Sequence, residues 1–213
     1  MKNIILLAPP AAGKGTLAKM LCDKYGYVSI STGDLLREES KGNEELRKIL
    51  KTGKLISDEL VFEILNAKLN KLGDTPYILD GFPRTVKQAE MYDELLSNNN
   101  KEHGVVIYLD IDKEELKQRV TSRIVCPKCK HSYSKRVEAF FPKKEGICDV
   151  CDSILVQRED DTEEAFNIRY QEFLDKTSPL INYYEERDVL YRFDDLDAGD
   201  VLDKIALVVI DND

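Results

Sequence analysis

Residues 4–18, IILLAPPAAGKGTLA, decide the fold of this chain. The apolar run 4–7 predicts a short buried strand, and Pro9-Pro10 ends it because proline cannot continue a β-ladder. Gly13-Lys14-Gly15-Thr16 follows, and a helical stretch then runs over about 17–24. A strand, a tight loop and a helix in this order favour anion binding, because loop N–H groups and the helix N-terminus face the same point. The segment therefore predicts a phosphate-binding loop.

The side chains of this loop suit nucleotide phosphates. Lys14 supplies a point charge, and the Thr16 hydroxyl can bind a magnesium ion. An ordinary strand, turn and helix is the alternative interpretation, but Gly-Lys-Gly-Thr directly after a buried strand favours phosphate binding. The general pattern has glycine at the position of Ala8. Alanine in a left-handed backbone conformation costs roughly 1 kcal/mol or more, so we expect Ala8 to affect rate and affinity rather than the identity of the loop.

Strand-like runs alternate with helical stretches along the chain, which predicts a parallel sheet covered by helices on both faces. The runs are residues 3–8, 27–31, 77–81, 105–110 and 189–193. Ligands of such sheets bind beyond the carboxyl ends of the strands. Polar or glycine-containing segments follow four of the runs, at 8–16, 31–34, 80–84 and 110–112. We expect these four segments to line one site.

Two segments, 32–58 and 122–159, break the alternation and are interpreted as insertions on the core. After the second, Asp161-Thr162-Glu163-Glu164 resembles a capping box that opens a helix to about Asp175. Ser178-Pro179 predicts an N-cap with proline at the first helical position. A last helix is expected over about 200–210.

Four cysteines form two Cys-x-x-Cys pairs separated by 18 residues, 130–147; they are Cys126, Cys129, Cys148 and Cys151. This spacing indicates a zinc knuckle pair. Four thiolates close a tetrahedral site, so the zinc would be structural. A redox pair or unpaired core cysteines are the alternatives. His131 can substitute for one ligand but is predicted to be a solvated neighbour, and Cys22 a small buried hydrophobe.

Six arginines lie in or near these motifs: Arg37, Arg84, Arg119, Arg123, Arg158 and Arg169. Each alone would be interpreted as a surface charge. Beside a phosphate loop they predict a clamp on a polyphosphate, which phosphoryl transfer requires. Arg119 and Arg123, four residues apart, are expected on one helix face. Surface positions are predicted for Arg47, Arg136, Arg187 and Arg192.

Three further features lie near the expected site. Asp80 ends a predicted strand and would hold magnesium through water, with a cap on the following turn as the alternative. Asp160-Asp161 either caps a helix or helps a lid to close. Phe82-Pro83 is a candidate cis peptide.

Composition excludes several classes of function. The chain has 213 residues, 42% of them apolar, and a net charge of −9. It is long enough for one large domain, or a core with insertions. The acidic balance argues against a general nucleic-acid surface. Its apolar stretches are shorter than a membrane span and its N-terminus does not begin a signal peptide, so we expect a cytoplasmic protein without a membrane partner.

Together, the motifs resemble the adenylate kinase family, in its long form with a zinc-bearing lid. The resemblance covers nearly the whole chain, through APPAAGKGTLA, STGDLLRE, GKLISDELV, LDGFPRTVKQAE, QRVTSRIVCPKC, CDVC, LVQREDDTEEAFNIRYQEF and TSPLINYY. It implies a P-loop nucleoside-triphosphate-hydrolase-like α/β fold with a five-stranded parallel sheet. The implied parts are a core (1–30, 58–121 and 160–213), an AMP-binding flap (31–57) and a zinc-binding lid (122–159). The implied reaction is phosphoryl transfer from MgATP to AMP, giving two ADP, by a monomer.

The resemblance also implies roles for individual residues. For ATP they are Ala11, Ala12, Gly13, Lys14, Gly15, Thr16, Arg119, Arg123, the backbone of Ser132 and Tyr133, and Asp197. For AMP they are Thr32 and Gln88 at the adenine, Arg37 and Arg84 at the phosphate, the backbone of Lys54, Leu55 and Ile56, and the turn Gly81, Phe82 and Pro83. Arg158 and Arg169 would bridge both substrates. The catalytic set would be Lys14, Arg84, Arg123, Arg158 and Arg169.

The sequence departs from the family pattern at several positions and leaves rival functions open. Ala8 and Ala11 replace loop glycines, Ser122 replaces a glycine before the lid, and Asp195 stands where glycine is expected. A kinase for UMP or CMP is the first rival, although Thr32 and Gln88 favour adenine by resemblance. A nucleotide-binding protein without catalysis, or a zinc-dependent interaction module, is the second. A four-cysteine nucleic-acid binder is disfavoured by the charge.

Overall fold

The computed structural model describes residues 1–52, 56–193 and 198–209. In chain order the strands are β1 (Ile4–Leu7), β2 (Val28–Ser31), β3 (Tyr77–Asp80), β4 (Val105–Leu109), β5 (Arg123–Val125), β6 (Ser132–Ser134) and β7 (Leu190–Phe193). The helices are α1 (Lys14–Tyr25), α2 (Thr32–Glu39), α3 (Glu44–Thr52), α4 (Asp58–Leu72), α5 (Val86–Asn98), α6 (Lys113–Ser122), α7 (Glu163–Glu172), α8 (Pro179–Glu185) and α9 (Ala198–Val209). The predicted strands and their alternation with helices are confirmed.

Five strands form one parallel sheet in the order β2-β3-β1-β4-β7. The central strand β1 pairs with β3 on one side and β4 on the other, so that Ile5 lies opposite Leu79 and Val106. Every residue of β1 is buried. A strand covered on both faces needs a continuous apolar run rather than alternation, which is the pattern of residues 4–7.

Helices cover both faces of the sheet and close two apolar clusters. Ile4 and Leu6 point into the first, which α1, α6 and α9 complete with residues such as Leu21, Leu116 and Ile205. Ile5 and Leu7 point into the second, which α4, α5 and α8 complete with residues such as Leu65, Tyr92 and Leu180. Each fully buried aliphatic side chain contributes about 2 kcal/mol, so the two clusters fix β1 and the loop that follows it.

Two predicted helix starts in the C-terminal part are present, but their capping contacts differ from the prediction. Thr162, not Asp161, is the N-cap of α7, and its hydroxyl accepts from Ala165 N at 3.1 Å. Ser178 occupies the N-cap position of α8 and Pro179 is the first helical residue, as predicted, but the Ser178 backbone is itself helical and its hydroxyl donates to the Leu174 carbonyl at 2.7 Å instead of capping α8. The reason is a π-helical segment, Phe173–Thr177, that joins α7 to α8 without a break.

The two insertions have different structures. Residues 32–52 form α2 and α3, which pack with α4 beside the sheet. Residues 123–156 contain the antiparallel pair β5 and β6 and a small apolar cluster of Ile124, Cys126, Tyr133, Cys148 and Leu155. Among the residues described, none of the helices combines the length and apolarity needed to cross a membrane.

Candidate active site

The phosphate loop lies between β1 and α1, at the carboxyl edge of the sheet. Helix α1 starts at Lys14, three residues before the predicted start, with Gly13 as its N-cap at φ 92°. The first N–H groups of a helix have no partner within it, so those of Lys14, Gly15 and Thr16 are available to an anion. The sequence-predicted cradle is therefore present as a loop and a helix N-terminus.

The two loop alanines differ in conformation. Ala11 has φ 64°, in the left-handed region that favours glycine, whereas Ala8 does not. Ala8 is buried against the first apolar cluster. The strain expected for alanine in this loop therefore falls on Ala11 alone.

The side chain of Lys14 turns back over the loop. Its Nζ donates to the carbonyl oxygens of Ala8 and Pro9, each at 3.1 Å. Burial lowers the pKa of Lys14 to about 8, opposed by the carboxylate of Asp80 and assisted by the guanidinium groups of Arg84, Arg123 and Arg169. A cation in this environment gains strongly from an anionic ligand.

Two adjacent carboxylates before α7 hold two of the arginines. Arg123 Nε donates to Asp161 at 2.8 Å, and Arg123 Nη2 makes a second bond to the same carboxylate. Arg169 donates to the Asp160 carboxylate at 3.0 Å and to the Asp160 carbonyl oxygen at 2.6 Å. Because Thr162 caps the helix, capping is the wrong interpretation of Asp160-Asp161. These carboxylates position arginines instead.

Arg84 and Arg158 complete a concentrated patch of positive charge. Burial lowers the pKa of both, to about 10 for Arg158. Repulsion adds to this effect, from Arg169 and Arg37 at Arg84 and from Arg123 and Arg37 at Arg158. A polyanion at this place would relieve both the repulsion and the lost hydration.

Arg119 is separate from this patch. Helix α6 ends at Ser122, and Arg123 is the first residue of β5, with extended backbone. The prediction that Arg119 and Arg123 share a helix face is therefore wrong. Arg119 pairs with Glu115 at 2.9 Å on α6.

A cleft beside the arginines is lined by both apolar and polar groups. Its lining comprises Thr32, Gly33, Leu36, Arg37, Leu50, Ile56, Val61, Gly81, Arg84, Gln88, Asp160 and Arg169. Arg37 is held by Asp34 at 2.8 Å. The Thr32 hydroxyl donates to the Gly81 carbonyl at 2.8 Å. Apolar side chains beside guanidinium groups suit a ligand with a flat ring and a phosphate.

The predicted turn between β3 and α5 borders this cleft. The Phe82-Pro83 peptide bond is cis, as the sequence suggested. Phe82 is buried in the second apolar cluster, and Gly81 has φ 81°. Arg84 Nε donates to the Gly81 carbonyl at 2.9 Å. The turn thus fixes Arg84 at the mouth of the cleft.

The two Cys-x-x-Cys pairs meet in the segment around β5 and β6. The four Sγ atoms, from Cys126, Cys129, Cys148 and Cys151, all lie within 4.8 Å of one another. Sγ atoms of opposite pairs are 3.4 Å apart, for Cys126 with Cys151 and for Cys129 with Cys148. A tetrahedral zinc site with bonds of about 2.3 Å requires Sγ separations of about 3.8 Å, so the cluster is compatible with zinc.

The other two residues considered for this centre lie outside the cluster. Cys22 packs against the first apolar cluster, as predicted, but is half-buried in α1 rather than fully buried. His131 is half-buried rather than solvated, because its ring packs on Tyr133 with centroids 4.7 Å apart. His131 is thus a neighbour of the cysteine cluster and not one of its members, as predicted, but it is only partly solvated.

Comparison with known proteins identifies the family. A family model described as adenylate kinase matches residues 6–189. The chain belongs to the adenylate kinase family. The adenylate kinase of Thermotoga petrophila is 43% identical over 91% of this chain and 90% of its own length. Those of Kosmotoga olearia and Clostridium tetani are 43% and 40% identical, over 95% and 97% of this chain and 96% and 98% of their own lengths.

The family explains why a phosphate loop and a cleft lie side by side, since adenylate kinases use ATP and AMP or ADP as substrates. The chain is thus a nucleoside monophosphate kinase. Asp80 lies beside the phosphate loop: its carboxylate opposes the lowering of the Lys14 pKa, and its Oδ2 is 3.8 Å from the position that a Cβ on Gly15 would take. Three predicted contacts, Lys54, Leu55 and Asp197, lie outside the described residues.

Sequence reasoning missed several carboxylates that organise the site. Asp34 holds Arg37, and Asp58 accepts from the side chains of Gln88 and Thr85 at 2.8 and 3.0 Å. The Asp34 pairing has a local signal, because residues three apart meet on a helix. The Asp58 contacts join separate helices and have no such signal.

Proposed function

We propose that this adenylate kinase transfers a phosphoryl group reversibly from MgATP to AMP, giving two ADP, through the patch of arginines around Lys14. The observation that carries the proposal is the crowding of four half-buried cations, Lys14, Arg84, Arg158 and Arg169, whose pKa values are lowered by their partial burial. Such a patch is unfavourable alone and favourable around a polyphosphate.

The substrates divide between the two parts of the site. ATP phosphates would lie on the first N–H groups of α1, with Lys14 bridging toward the transferred group. AMP would lie in the cleft, with its phosphate on Arg37 and Arg84 and its base among Leu36, Ile56 and Val61. Arg123, Arg158 and Arg169 would lie between the two substrates and neutralise charge on the moving phosphoryl group. No covalent enzyme intermediate is needed.

Magnesium and zinc have separate roles in this proposal. Thr16 and, through water, Asp80 would hold magnesium, which neutralises phosphate charge when bound. The four cysteines would hold a structural zinc, because a closed Cys₄ set has no open position for chemistry. Zinc would thereby stabilise a segment with only a small apolar cluster of its own.

We propose a flap, 31–57, and a lid, 122–159, on a core formed by the remaining residues. Their closure would exclude water from the transferring phosphate. In this closed state, ATP would contact Arg119 and the backbone of Ser132 and Tyr133. We further propose a cytoplasmic monomer with no nucleic-acid or membrane partner, in keeping with the charge of −9.

A phosphotransfer assay tests the function. Purified protein, MgATP and a panel of AMP, UMP, CMP and GMP should give ADP formation with AMP only. Lys14→Ala and Arg84→Ala should each lower turnover by orders of magnitude and leave the fold intact. Lys87→Ala is the matched control, because Lys87 is exposed and pairs only with Glu59 among its described contacts. Nucleotide binding without turnover in the wild type would contradict the proposal.

A further inference from the structure

Gln88 lies in the cleft as one of its few uncharged polar side chains and is almost fully buried. A primary amide has an oxygen with two lone pairs and an NH₂ group with two donors. One of each is occupied: Oε1 accepts from Arg84 N at 2.7 Å, and Nε2 donates to Asp58 at 2.8 Å. Among the residues that the structure describes, no partner takes the second lone pair or the second N–H, so both remain for a ligand.

Arg84 N and the Asp58 carboxylate together determine where the oxygen and the nitrogen of the Gln88 amide lie. The backbone N–H of Arg84 can only donate, so it requires the amide oxygen. The carboxylate of Asp58 can only accept, so it requires the amide nitrogen. A turn of the amide by 180° would place Oε1 against the carboxylate and the NH₂ group against another N–H. The orientation of Gln88 is therefore fixed before a ligand binds.

We infer that Asp58 is a specificity-determining positioning residue, which fixes the Gln88 amide so that the site accepts a 6-aminopurine and rejects a 6-oxopurine. This inference rests on the proposed function, in which the cleft holds the nucleoside monophosphate. It goes beyond that function by naming the residue and the pair of atoms that select the base.

The chemistry of the two bases supports the inference. Adenine presents a donor at N6 and an acceptor at N1, which complement the oxygen and the N–H that Gln88 retains. Hypoxanthine and guanine present the reverse, an acceptor at O6 and a donor at N1. The arginines fix the phosphate, so the base cannot turn over to correct the mismatch. With a 6-oxopurine, the buried amide oxygen would face an acceptor and the amide N–H would face a donor. Buried polar groups left unpaired in this way discriminate strongly against the wrong ligand.

Thr32 adds to the same preference. Its hydroxyl proton is directed to the backbone oxygen of Gly81 at 2.8 Å, so toward a ligand the hydroxyl offers only lone pairs. Lone pairs attract an amino group and repel a carbonyl oxygen. Thr32 and Gln88 therefore both favour a base with an amino group at position 6 over one with a carbonyl oxygen there.

The position of Asp58 makes it a practical target for mutation. It is half-buried at the first position of α4 and also accepts from the Thr85 hydroxyl at 3.0 Å. The neighbouring Glu59 is exposed and pairs with Lys87. Asp58 and Glu59 are adjacent carboxylates on one helix, and of the two only Asp58 contacts Gln88. Glu59 therefore serves as the control position for substitutions of Asp58.

The test measures kcat/KM for AMP and for IMP with MgATP, since these two substrates differ at the edge that Gln88 would read. Asp58→Ala should lower the AMP-to-IMP ratio at least tenfold, chiefly through a higher KM for AMP. Asp58→Asn should keep the ratio within about threefold, because its side-chain oxygen can still accept from Gln88. Glu59→Ala should leave it unchanged. The ratio does not depend on the fraction of folded enzyme.

A second variant guards against loss of folding. Asp58→Ser retains a residue suited to a helix N-terminus but is too short to reach Gln88, so it should behave as Asp58→Ala does. An unchanged ratio in Asp58→Ala and Asp58→Ser would overturn the inference while leaving the adenylate kinase activity intact. Equal losses in Asp58→Ala and Asp58→Asn would also overturn it, since they would indicate a general structural role. Failure of the wild type to use AMP would instead overturn the proposed function.

Discussion

Lys51 and Glu159 form an ion pair of 2.6 Å between α3 and the segment that precedes α7. Lys51 belongs to the proposed flap and Glu159 is the last residue of the proposed lid. The same two parts also interact near Asp34: although burial opposes it, Arg37 and, from the lid, Arg158 and Lys130 lower the pKa of Asp34. Opposite charges thus join flap and lid directly across the cleft.

The Lys51–Glu159 ion pair predicts a modest electrostatic contribution to closure of the flap against the lid. Lys51→Glu places a second carboxylate opposite Glu159 and should raise the KM for AMP roughly two- to fivefold at low salt, because exposed pairs are weak. The effect should fade as salt is added. Combining Lys51→Glu with Glu159→Lys should restore the wild-type KM for AMP. Steady-state kinetics measures this KM in all three proteins.

The control for this charge reversal is Lys48→Glu, because Lys48 pairs with Glu44 within α3. It should leave the KM for AMP unchanged. If the double reversal were no better than Lys51→Glu alone, the ion pair would have no part in closure.

The buried carboxylate of Asp161 predicts a larger effect. Asp161→Asn removes the counter-charge of Arg123 but keeps the shape of the side chain, and breaking a pair of this kind costs about 3–5 kcal/mol where both partners are deeply buried. Arg123 keeps about a fifth of its side chain exposed, so we expect the lower end of that range. Chemical denaturation measures the loss, and kcat should fall at least tenfold because Arg123 loses its position.

Glu163→Gln is the matched control for Asp161→Asn. Glu163 lies two residues further on, is exposed, and pairs with Lys117. Its substitution should change neither unfolding nor kcat. Wild-type kcat in Asp161→Asn would contradict the assignment of Asp161 as the residue that positions Arg123.

The left-handed backbone of Ala11 predicts that a glycine there stabilises the protein. Relief of the φ 64° conformation gains about 1–2 kcal/mol, and the added freedom of the unfolded chain costs about 0.4–1 kcal/mol. Ala11→Gly should therefore raise the free energy of unfolding by about 0.5–1 kcal/mol. Ala8→Gly, without such strain, should lower it; equal effects of the two changes would be evidence against strain at Ala11.

Features encoded in neighbouring residues could be predicted from the sequence. The run 4–7, the loop at 13–16 and the spacing of the cysteines each specify a structure locally, and the alternation of strands and helices specifies the parallel sheet. The predictions that the structure corrects concern residues with two local possibilities. Asp161 can cap a helix or pair with an arginine, and Ser178 can start a helix or continue one. Which possibility occurs depends on distant partners.

The organisation of the site required the structure because its contacts join distant residues. Asp161 lies 38 residues from Arg123, and Asp58 lies 30 residues from Gln88. Each of these carboxylates stands near the start of a helix, where the helix dipole alone favours a negative charge. The sequence therefore gives no reason to expect a distant partner for either of them. The sequence therefore predicts roles for the arginines and Gln88, but not the carboxylates that orient them.

The cysteine cluster predicts a zinc-dependent stability. A chelator, or Cys148→Ser, should release about one zinc per chain and lower the temperature of unfolding of the lid while the core sheet persists. Metal analysis measures the zinc released, and thermal melts followed by circular dichroism at two wavelengths measure unfolding of the lid and of the core. Cys22→Ser is the control, since Cys22 lies outside the cluster. An unchanged melting profile in chelator would contradict a structural zinc site.

The pKa of Lys14 predicts how nucleotide affinity depends on pH. Burial lowers this pKa from 10.5 to about 8, so the free protein loses the Lys14 proton above pH 8, whereas bound phosphate stabilises the protonated form. Affinity for ATP should be constant below pH 8 and fall by up to tenfold per pH unit above it, because one proton is then taken up on binding. Calorimetric titrations between pH 7 and 9.5 measure this slope.

Lys14→Met supplies the baseline for that experiment. Other groups titrate in the same range, but their contribution is common to both proteins, so the difference between the two pH profiles isolates Lys14. The variant should bind ATP weakly with a nearly flat profile, and the two affinities should converge as the pH rises. Parallel profiles for wild type and Lys14→Met would show that the Lys14 proton is not linked to binding, and would remove Lys14 from its proposed place at the phosphates.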